Sequence, residues 1–118
     1  MEKCACKGSF LDKLIQPTIL MILYRNPLHG FSILKEMESS NIMDYSGIDP
    51  TGLYRTLKKM ETAGLLISRW DINDHTQPRR IYEITEDGKD CLQHWKRTLI
   101  NYQNSLGALI HSITEVVD

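Results

Sequence analysis

The middle of this chain concentrates positive charge between two acidic ends. Residues 51–82 carry six Lys or Arg against three Asp or Glu, a net charge of +3, while residues 1–50 carry -1 and residues 83–118 carry -3. Basic residues grouped in this way can neutralise the phosphates of a nucleic acid. A solvated protein surface would show the same charges, so both interpretations stay open at this point. The six basic residues are Arg55, Lys58, Lys59, Arg69, Arg79 and Arg80.

The three cysteines offer a second kind of chemistry, because thiolates bind soft metal ions and can be oxidised. Cys4 and Cys6 lie in a polar N-terminal segment, and Cys91 and His94 lie near the start of the last predicted helix. A tetrahedral zinc site needs four ligands, and these four residues could supply them if the N-terminal segment folded back. Independent free thiols are the alternative. An odd number of cysteines argues against a disulfide framework and for a location in the reducing cytoplasm.

Motifs of common enzyme classes are absent from the 118 residues. The sequence has no glycine-rich phosphate loop, no His-Glu-x-x-His and no Gly-x-Ser-x-Gly, so neither an enzymatic activity nor a cofactor is expected. The longest apolar run, Ile19 to Tyr24, is far shorter than the roughly 20 residues of a membrane span. No secretory signal is recognised. With 42% hydrophobic and 25% charged residues, the composition is that of a soluble globular protein.

These candidate groups must be positioned by secondary structure, and the first half of the chain predicts three short helices. The first helix is apolar around most of its circumference and is expected to begin near Gln16, because Pro17 is tolerated in a first turn. The second helix is expected to run from about Gly30 to Ser39. Its apolar face is expected to carry Phe31, Leu34 and Met37.

The third helix has clear signals at both ends. Asp49 is a good N-cap and Pro50 suits the first helical position, while Gly64 is typical of the residue just after a helix. Between them, an apolar stripe predicts the buried side of the helix. That stripe consists of Leu53, Leu57 and Met60.

A two-stranded β-hairpin is predicted next, over residues 66–72 and 79–85, with a polar loop between the strands. Trp70 is expected in the core, where it would pack the hairpin onto the third helix. The register remains open. The alternatives for the inward side chains are Tyr82 with Ile84, or Ile81.

The last helix, capped by Thr85, has an unbroken heptad pattern. Apolar residues recur at spacings of three and four over roughly 37 Å, which is longer than a core of this size. This seam therefore needs a partner, and pairing with a second chain is favoured over folding back on its own domain. The seam, which also predicts the dimerisation residues, consists of Leu92, Trp95, Leu99, Tyr102, Leu106, Leu109, Ile113 and Val116.

Three helices, a hairpin and a long helix follow the order of a winged helix-turn-helix, a mainly α fold with a small β-wing. The expected organisation is a flexible tail at residues 1–9, a DNA-binding domain at 10–85 and a dimerisation helix at 86–118. In such folds the third helix enters the major groove and the wing lies beside it. The expected DNA-binding residues are Thr51, Gly52, Tyr54, Arg55, Lys58, Lys59, Arg69, Arg79 and Arg80.

Some of these residues have a structural alternative. Tyr54 could be a buried aromatic with a hydrogen-bonded tip rather than a phosphate ligand. Arg55 could form a local ion pair with Glu61 or Asp49. Outside this set, His29 is expected to form hydrogen bonds with local backbone groups rather than to bind a ligand.

Six short motifs follow one another between about Gln16 and Gly88. They are Pro27-Leu28-His29-Gly30-Phe31, Leu53-Tyr54-Arg55-Thr56-Leu57-Lys58-Lys59-Met60-Glu61, Gly64-Leu65, Ser68-Arg69-Trp70, Pro78-Arg79-Arg80-Ile81-Tyr82 and Thr85-Glu86-Asp87-Gly88. In this order they resemble the PadR family of bacterial transcriptional regulators. The resemblance implies a homodimeric winged-helix repressor that binds a nearly palindromic operator, and the short last helix places the chain with the compact members. One departure is Gly52, where the family usually has the hydroxyl of Ser or Thr; here the nearest hydroxyl is that of Thr51, one residue earlier.

Release from DNA by an effector is a further expectation. Some family members bind flat aromatic compounds between subunits, and Trp95 with Tyr102 could line such a pocket here. Two other functions remain as alternatives. One is a winged-helix module for protein–protein interaction, and the other is a thiol- or metal-responsive regulator that uses Cys4 and Cys6.

Overall fold

The computed structural model describes residues 14–40, 49–72 and 78–117. The N-terminal tail, including Cys4 and Cys6, lies outside these residues. The described part is mainly helical with a small antiparallel sheet, as the sequence predicts. In chain order its elements are α1 (Ile15–Arg25), β1 (Leu28–His29), α2 (Gly30–Ser39), α3 (Pro50–Thr62), β2 (Leu66–Asp71), β3 (Arg79–Ile84) and α4 (Glu86–Val116).

The boundaries of α3 follow from its end residues. Asp49 Oδ1 accepts a hydrogen bond from the Thr51 backbone N–H at 3.1 Å, and Pro50 occupies the first turn. At the other end Gly64 has φ of +82°, a conformation that favours glycine. The N–H groups of Gly64 and Leu65 then bond back to the last turn of the helix, which closes a Schellman motif. Both predicted signals therefore act as expected.

The sheet has three strands rather than the two predicted, in the order β1-β3-β2. Leu28 and His29 pair with Tyr82 and Ile81, which adds a two-residue strand to the free edge of β3. A strand this short has no alternation of polar and apolar residues, so the sequence alone does not reveal it. The wing, which here means β2 and β3, is thereby tied to the segment between α1 and α2.

The pleat of the sheet determines which wing side chains point toward the helices. Leu66, Tyr82 and Ile84 are buried on this inner face, which resolves the open register in favour of Tyr82 with Ile84. Arg69 and Ile81 pair on the opposite, outer face. The alternation follows the two-residue period of a strand.

One core of apolar side chains joins α1, α2, α3 and the inner face of the sheet. Phe31 was predicted to belong to it, but this residue is 56% exposed and Ile33 is buried instead. A spacing of three residues drifts around a helix by about 60° per step, so Phe31 turns away from the face that holds Met37. The buried core residues are Ile19, Leu20, Ile22, Leu23, Ile33, Leu34, Met37, Leu53, Leu57, Met60, Leu66, Tyr82 and Ile84.

The long helix α4 is joined to this body at its first turn. The Thr85 hydroxyl accepts from the Gly88 N–H at 3.0 Å and donates to the Gly64 carbonyl at 2.7 Å. A Cβ at Gly88 would lie 2.3 Å from the Leu65 carbonyl oxygen, so only glycine allows this close approach. Leu92 and Trp95 then pack against the core. The attachment fixes the direction in which the rest of the helix leaves the body.

Beyond residue 99, α4 projects away from the body. Every described residue from 100 to 117 is exposed, and the molecule is 61 Å long but only 31 and 23 Å across. The helix therefore does not fold back on its own domain. Among the helices of the described residues, none is both long and apolar enough to cross a membrane.

Candidate nucleic-acid interface

The exposed side of α3 carries the predicted cations. Leu53, Leu57 and Met60 are buried, which turns Arg55 and the lysines at 58 and 59 toward solvent. Within the described part of the chain none of these three cations forms an ion pair, so the alternative pairing of Arg55 with a nearby carboxylate is not observed. Thr51 is exposed at the N-terminal turn, although its N–H is already bonded to Asp49 Oδ1.

Tyr54 is fixed by its contact with Gly30. The ring lies over the start of α2, and a Cβ added at Gly30 would come within 2.3 Å of the Tyr54 ring. The side chain nevertheless remains 45% exposed. Part of the Tyr54 ring therefore packs against α2 while the rest of the side chain stays accessible, which argues against the buried alternative; the phosphate contact stays a prediction.

The wing carries three of the cations predicted to bind DNA, and they lie on two different faces of the sheet. Arg80 is opposite Trp70 in the register, on the same side of the sheet as the buried Tyr82. Arg69 and Arg79 belong to the alternate positions and lie on the outer face. The structure therefore brings Arg80 to α3 but places Arg69 and Arg79 on the other side of the wing.

Arg80 is held by three neighbours. Its Nη1 donates to Ser68 Oγ at 2.9 Å and lies 3.8 Å from Glu61 Oε1. Ser68 Oγ in turn donates to Glu61 Oε2 at 2.7 Å. The guanidinium also stacks on the Trp70 indole, 4.6 Å from its centroid. These contacts join the end of α3 to the wing.

The prediction that Trp70 belongs to the core is wrong, because its side chain is 59% exposed. Strand alternation puts it on the inner face, but it lies four residues beyond Leu66, past the edge of the helical core. Its ring therefore covers Arg80 rather than an apolar neighbour. A cation stacked on an exposed indole is a typical cation–π arrangement.

An open cleft lies between α3 and the wing. Two cations and several hydroxyl groups line it, together with one carboxylate. Burial raises the pKa of the Tyr82 phenol above its ordinary value of 10, which keeps the phenol neutral. No sequence pattern assigned four residues of this region to the candidate interface, because their proximity depends on the strand register. These residues are Glu61, Thr62, Trp70 and Tyr82. The lining residues are Tyr54, Lys58, Glu61, Thr62, Arg80 and Tyr82.

His29 does not bond to nearby backbone groups as expected. Its Nε2 lies 3.1 Å from Asp71 Oδ2, across the middle strand of the sheet. Pairing of His29 with Ile81 puts the imidazole on the outer face, which is also the side of Asp71. The contact fastens the far end of β2 to β1 and so contributes to the orientation of the wing.

The candidate metal ligands do not come together in the described residues. Cys91 is half-buried against the core, whereas the exposed His94 donates from Nδ1 to the Asp90 carbonyl at 2.9 Å. No group of three or more potential ligands occurs among the described residues. Cys4 and Cys6 lie outside them, so their part in a metal site stays a prediction.

The residues of the predicted effector pocket lie on α4. Trp95 packs partly against the core, and Tyr102 is 57% exposed two turns farther along. The cleft that the described residues of one chain form lies elsewhere, between α3 and the wing. A pocket at Trp95 and Tyr102 would need a second molecule to close it.

Comparison with known proteins agrees with this architecture. A model of the transcriptional regulator PadR-like family matches residues 19–94, from α1 into α4. A proposed transcriptional regulator from Thermoplasma acidophilum has a similar structure, with 28% identity, a TM-score of 0.73 and coverage of 86% of this chain and 95% of that one. No curated protein matches the sequence.

Two more distant structures show the same fold. A PadR family transcription regulator from Clostridium difficile R20291 is 24% identical, with a TM-score of 0.69 and coverage of 82% of this chain and 98% of that one. Bacillus subtilis PadR in complex with operator DNA is 23% identical, with a TM-score of 0.62 and coverage of 70% and 45%. These neighbours are regulators of transcription and not enzymes. Because the family model spans more than half of its residues, the chain belongs to the PadR-like family of transcriptional regulators.

Proposed function

We propose that this protein binds operator DNA and represses transcription as a homodimer. The observation that carries the proposal is the exposed side of α3, where Arg55, Lys58 and Lys59 form no ion pair within the described residues and Lys58 lines an open cleft. Bacillus subtilis PadR, which has the same fold, was solved with operator DNA. A cytoplasmic location belongs to the same proposal, because such a regulator works where the genome lies.

In the proposed complex α3 lies in the major groove. At its N-terminus Gly52 would approach the phosphate backbone through its free N–H, and Thr51 through its side-chain hydroxyl, since the Thr51 N–H is bonded to Asp49. Arg55 would bind a guanine edge or a phosphate, and the two lysines would neutralise phosphates. Arg80 faces the same side as α3, whereas Arg69 and Arg79 would contact DNA only if the duplex reached the outer face of the wing.

A second copy of the chain would cover the exposed seam of α4. Tyr102, Leu106, Leu109 and Ile113 are all exposed in the single chain. Apolar residues at heptad spacing are buried when two helices pair. In the proposed division residues 10–85 bind DNA and residues 86–118 form the dimer, with the two copies of α3 about 34 Å or a multiple apart.

Repression would be relieved by a change in the distance between the two copies of α3. Trp95 and Tyr102 lie on the α4 seam at the level where the helix leaves the body, so a flat aromatic compound held between subunits would alter that distance. An effector acts by binding one arrangement of the dimer more tightly than the other. The effector pocket is the part of the proposal that depends most on the second copy.

A salt series of DNA binding tests the proposed function. The probe is the duplex that the protein selects from a randomised pool, compared with a scrambled duplex of the same composition. We expect tight binding to the selected duplex and a steep negative slope of log K against log[salt]. Equal weak binding to both duplexes at low salt, with no enrichment in the selection, would contradict the proposal.

Replacement of Arg55 by alanine locates the contact surface. Arg55→Ala is expected to weaken binding to the selected duplex by about 1–3 kcal/mol per subunit, because a bidentate arginine contact has that value. Arg97→Ala is the matched control, since Arg97 is exposed on α4 and far along the chain from α3. Equal affinities of the two variants would remove Arg55 from the interface.

A further inference from the structure

Glu61 is a carboxylate in a cleft that otherwise presents cations and hydroxyl groups. If DNA occupies this cleft, a bare carboxylate there would repel phosphate. Glu61 is not bare, however, because it accepts from Ser68 and lies beside Arg80. The contacts of Glu61 with Ser68 and Arg80 therefore have to account for the presence of a carboxylate in a surface that would bind DNA.

We propose that Glu61 is a positioning residue for DNA recognition, which acts with Ser68 and Trp70 to hold the Arg80 guanidinium ready for a phosphate. The inference rests on the proposed function. Glu61 is on α3 and Arg80 is on β3, so the same contacts also set the separation of the recognition helix and the wing. Nothing in this arrangement requires Glu61 to touch DNA.

The geometry of Arg80 supports this role. Its contacts with the described residues use Nη1 and the face of the guanidinium plane, which leaves the edge formed by Nε and Nη2 for a ligand. A planar guanidinium can bind a phosphate through two parallel N–H groups. Trp70 and Glu61 restrict the rotation of a side chain that is otherwise long and mobile. A fixed arginine loses less entropy when DNA binds.

Stability does not account for the cluster. The side chains of Arg80 and Glu61 are 41% and 32% exposed, and ion pairs at such exposure add little to the free energy of unfolding. Trp70 is mostly exposed and buries little apolar surface. Variants at these positions should therefore fold, so that an effect on DNA binding can be measured directly.

The first experiment compares Glu61→Gln with wild type on the selected duplex and on its scrambled control. Glutamine removes the charge and can still accept from Ser68. Positioning predicts that affinity for the selected duplex falls by about tenfold to a hundredfold for a dimer with two wings, whereas affinity for the scrambled duplex, on which the wing has no fixed register, falls less. Simple repulsion predicts tighter binding to both duplexes, and that result would overturn the inference.

Glu83→Gln is the matched control. Glu83 is an exposed carboxylate on β3, at an outer-face position of the register, so its replacement makes the same charge change on the same strand. We expect no loss of discrimination between the two duplexes in this variant. A loss as large as that of Glu61→Gln would show that charge, and not position, matters, and would overturn the inference.

A second measurement needs no DNA. In protein labelled with 5-fluorotryptophan the two tryptophans give two fluorine resonances, and Trp70→Phe assigns one of them. Glu61→Gln is expected to move the Trp70 resonance, because Arg80 leaves the ring. An unmoved resonance would overturn the proposed positioning by Glu61, even if the protein binds DNA.

The conservative change Trp70→Phe is expected to retain most of the discrimination, because phenylalanine keeps a flat ring under Arg80, whereas Trp70→Leu loses it. Equal loss in both variants would count against stacking and overturn this part of the inference.

The proposed function and this inference fail under different results. If the wild-type protein selects no duplex, the proposed function and this inference both fall. If it selects one and Glu61→Gln binds it as well as wild type, the inference alone falls.

Discussion

The body formed by α1, α2, α3 and the wing buries its apolar residues, whereas the distal part of α4, from residue 100 onward, exposes them. In the body Ile19, Leu57 and Leu66 are completely or almost completely covered by other parts of the same chain. From residue 100 to 117 every described position of α4 and its end is exposed. The apolar residues of the body are therefore covered within one chain, whereas the distal helix carries apolar surface that its own chain does not cover.

The distal helix also lacks the charges that usually keep an exposed helix in solution. No Asp, Glu, Lys or Arg occurs from Thr98 to Thr114. Gly107 lies in this stretch with nothing within 4 Å of the position its Cβ would take. Glycine lowers the stability of an isolated helix, and its lack of a side chain allows another backbone to approach closely. These features support the proposal that a second chain covers the helix.

Disruption of the α4 seam should have the largest effect. Leu99→Lys with Leu106→Lys would place two ammonium groups in an apolar contact, each at a cost of several kcal/mol. We expect monomers in sedimentation equilibrium and a loss of tight binding to the selected duplex. The control is Asn101→Lys with Asn104→Lys, which adds the same charge on the polar side of the helix. A stable dimer in the first variant would show that the seam is not the interface.

A truncation in each region sharpens the comparison. Leu57→Ala should lower the free energy of unfolding by about 2–5 kcal/mol, because Leu57 is fully buried and its removal leaves a cavity. Leu109→Ala should instead lower the Tm by an amount that depends on protein concentration, since its covering would come from a partner. Thermal melts over a hundredfold range of concentration test both. A concentration-independent loss at Leu109 would contradict a role in dimerisation.

The junction between the two regions should show a smaller effect. Thr85→Ala removes the N-cap of α4 and the bond to Gly64, and it should cost about 1 kcal/mol in urea unfolding. Thr114→Ala is the control, because its hydroxyl donates only to the Ile110 carbonyl within the helix. We expect the control to remain within about 0.5 kcal/mol of wild type. Equal losses would mean that the cap does not join α4 to the body.

Local signals in the sequence were sufficient for the four helices and the two strands of the wing, but not for β1. Asp49, Pro50 and Gly64 mark the ends of α3 because caps, proline and positive φ act within a few residues. Apolar periodicity identified the buried side of α3 and the long seam of α4. The fold class follows from these elements in this order, and the family resemblance follows from the motifs they carry, without knowledge of how they pack.

Tertiary structure decided the arrangement of the candidate site. Pairing of β1 with β3 joins distant segments, and the bond from His29 to Asp71 joins residues 42 positions apart; no local pattern reports such contacts. Strand register separated Arg80 from Arg69 and Arg79, because a shift of one residue would exchange the two faces of the wing. Glu61 and Arg80 likewise meet only once α3 and the wing are docked. The sequence by itself determined the four helices, the two strands of the wing and the apolar sides of α3 and α4, whereas only the packing of distant segments determined which charged groups face one another.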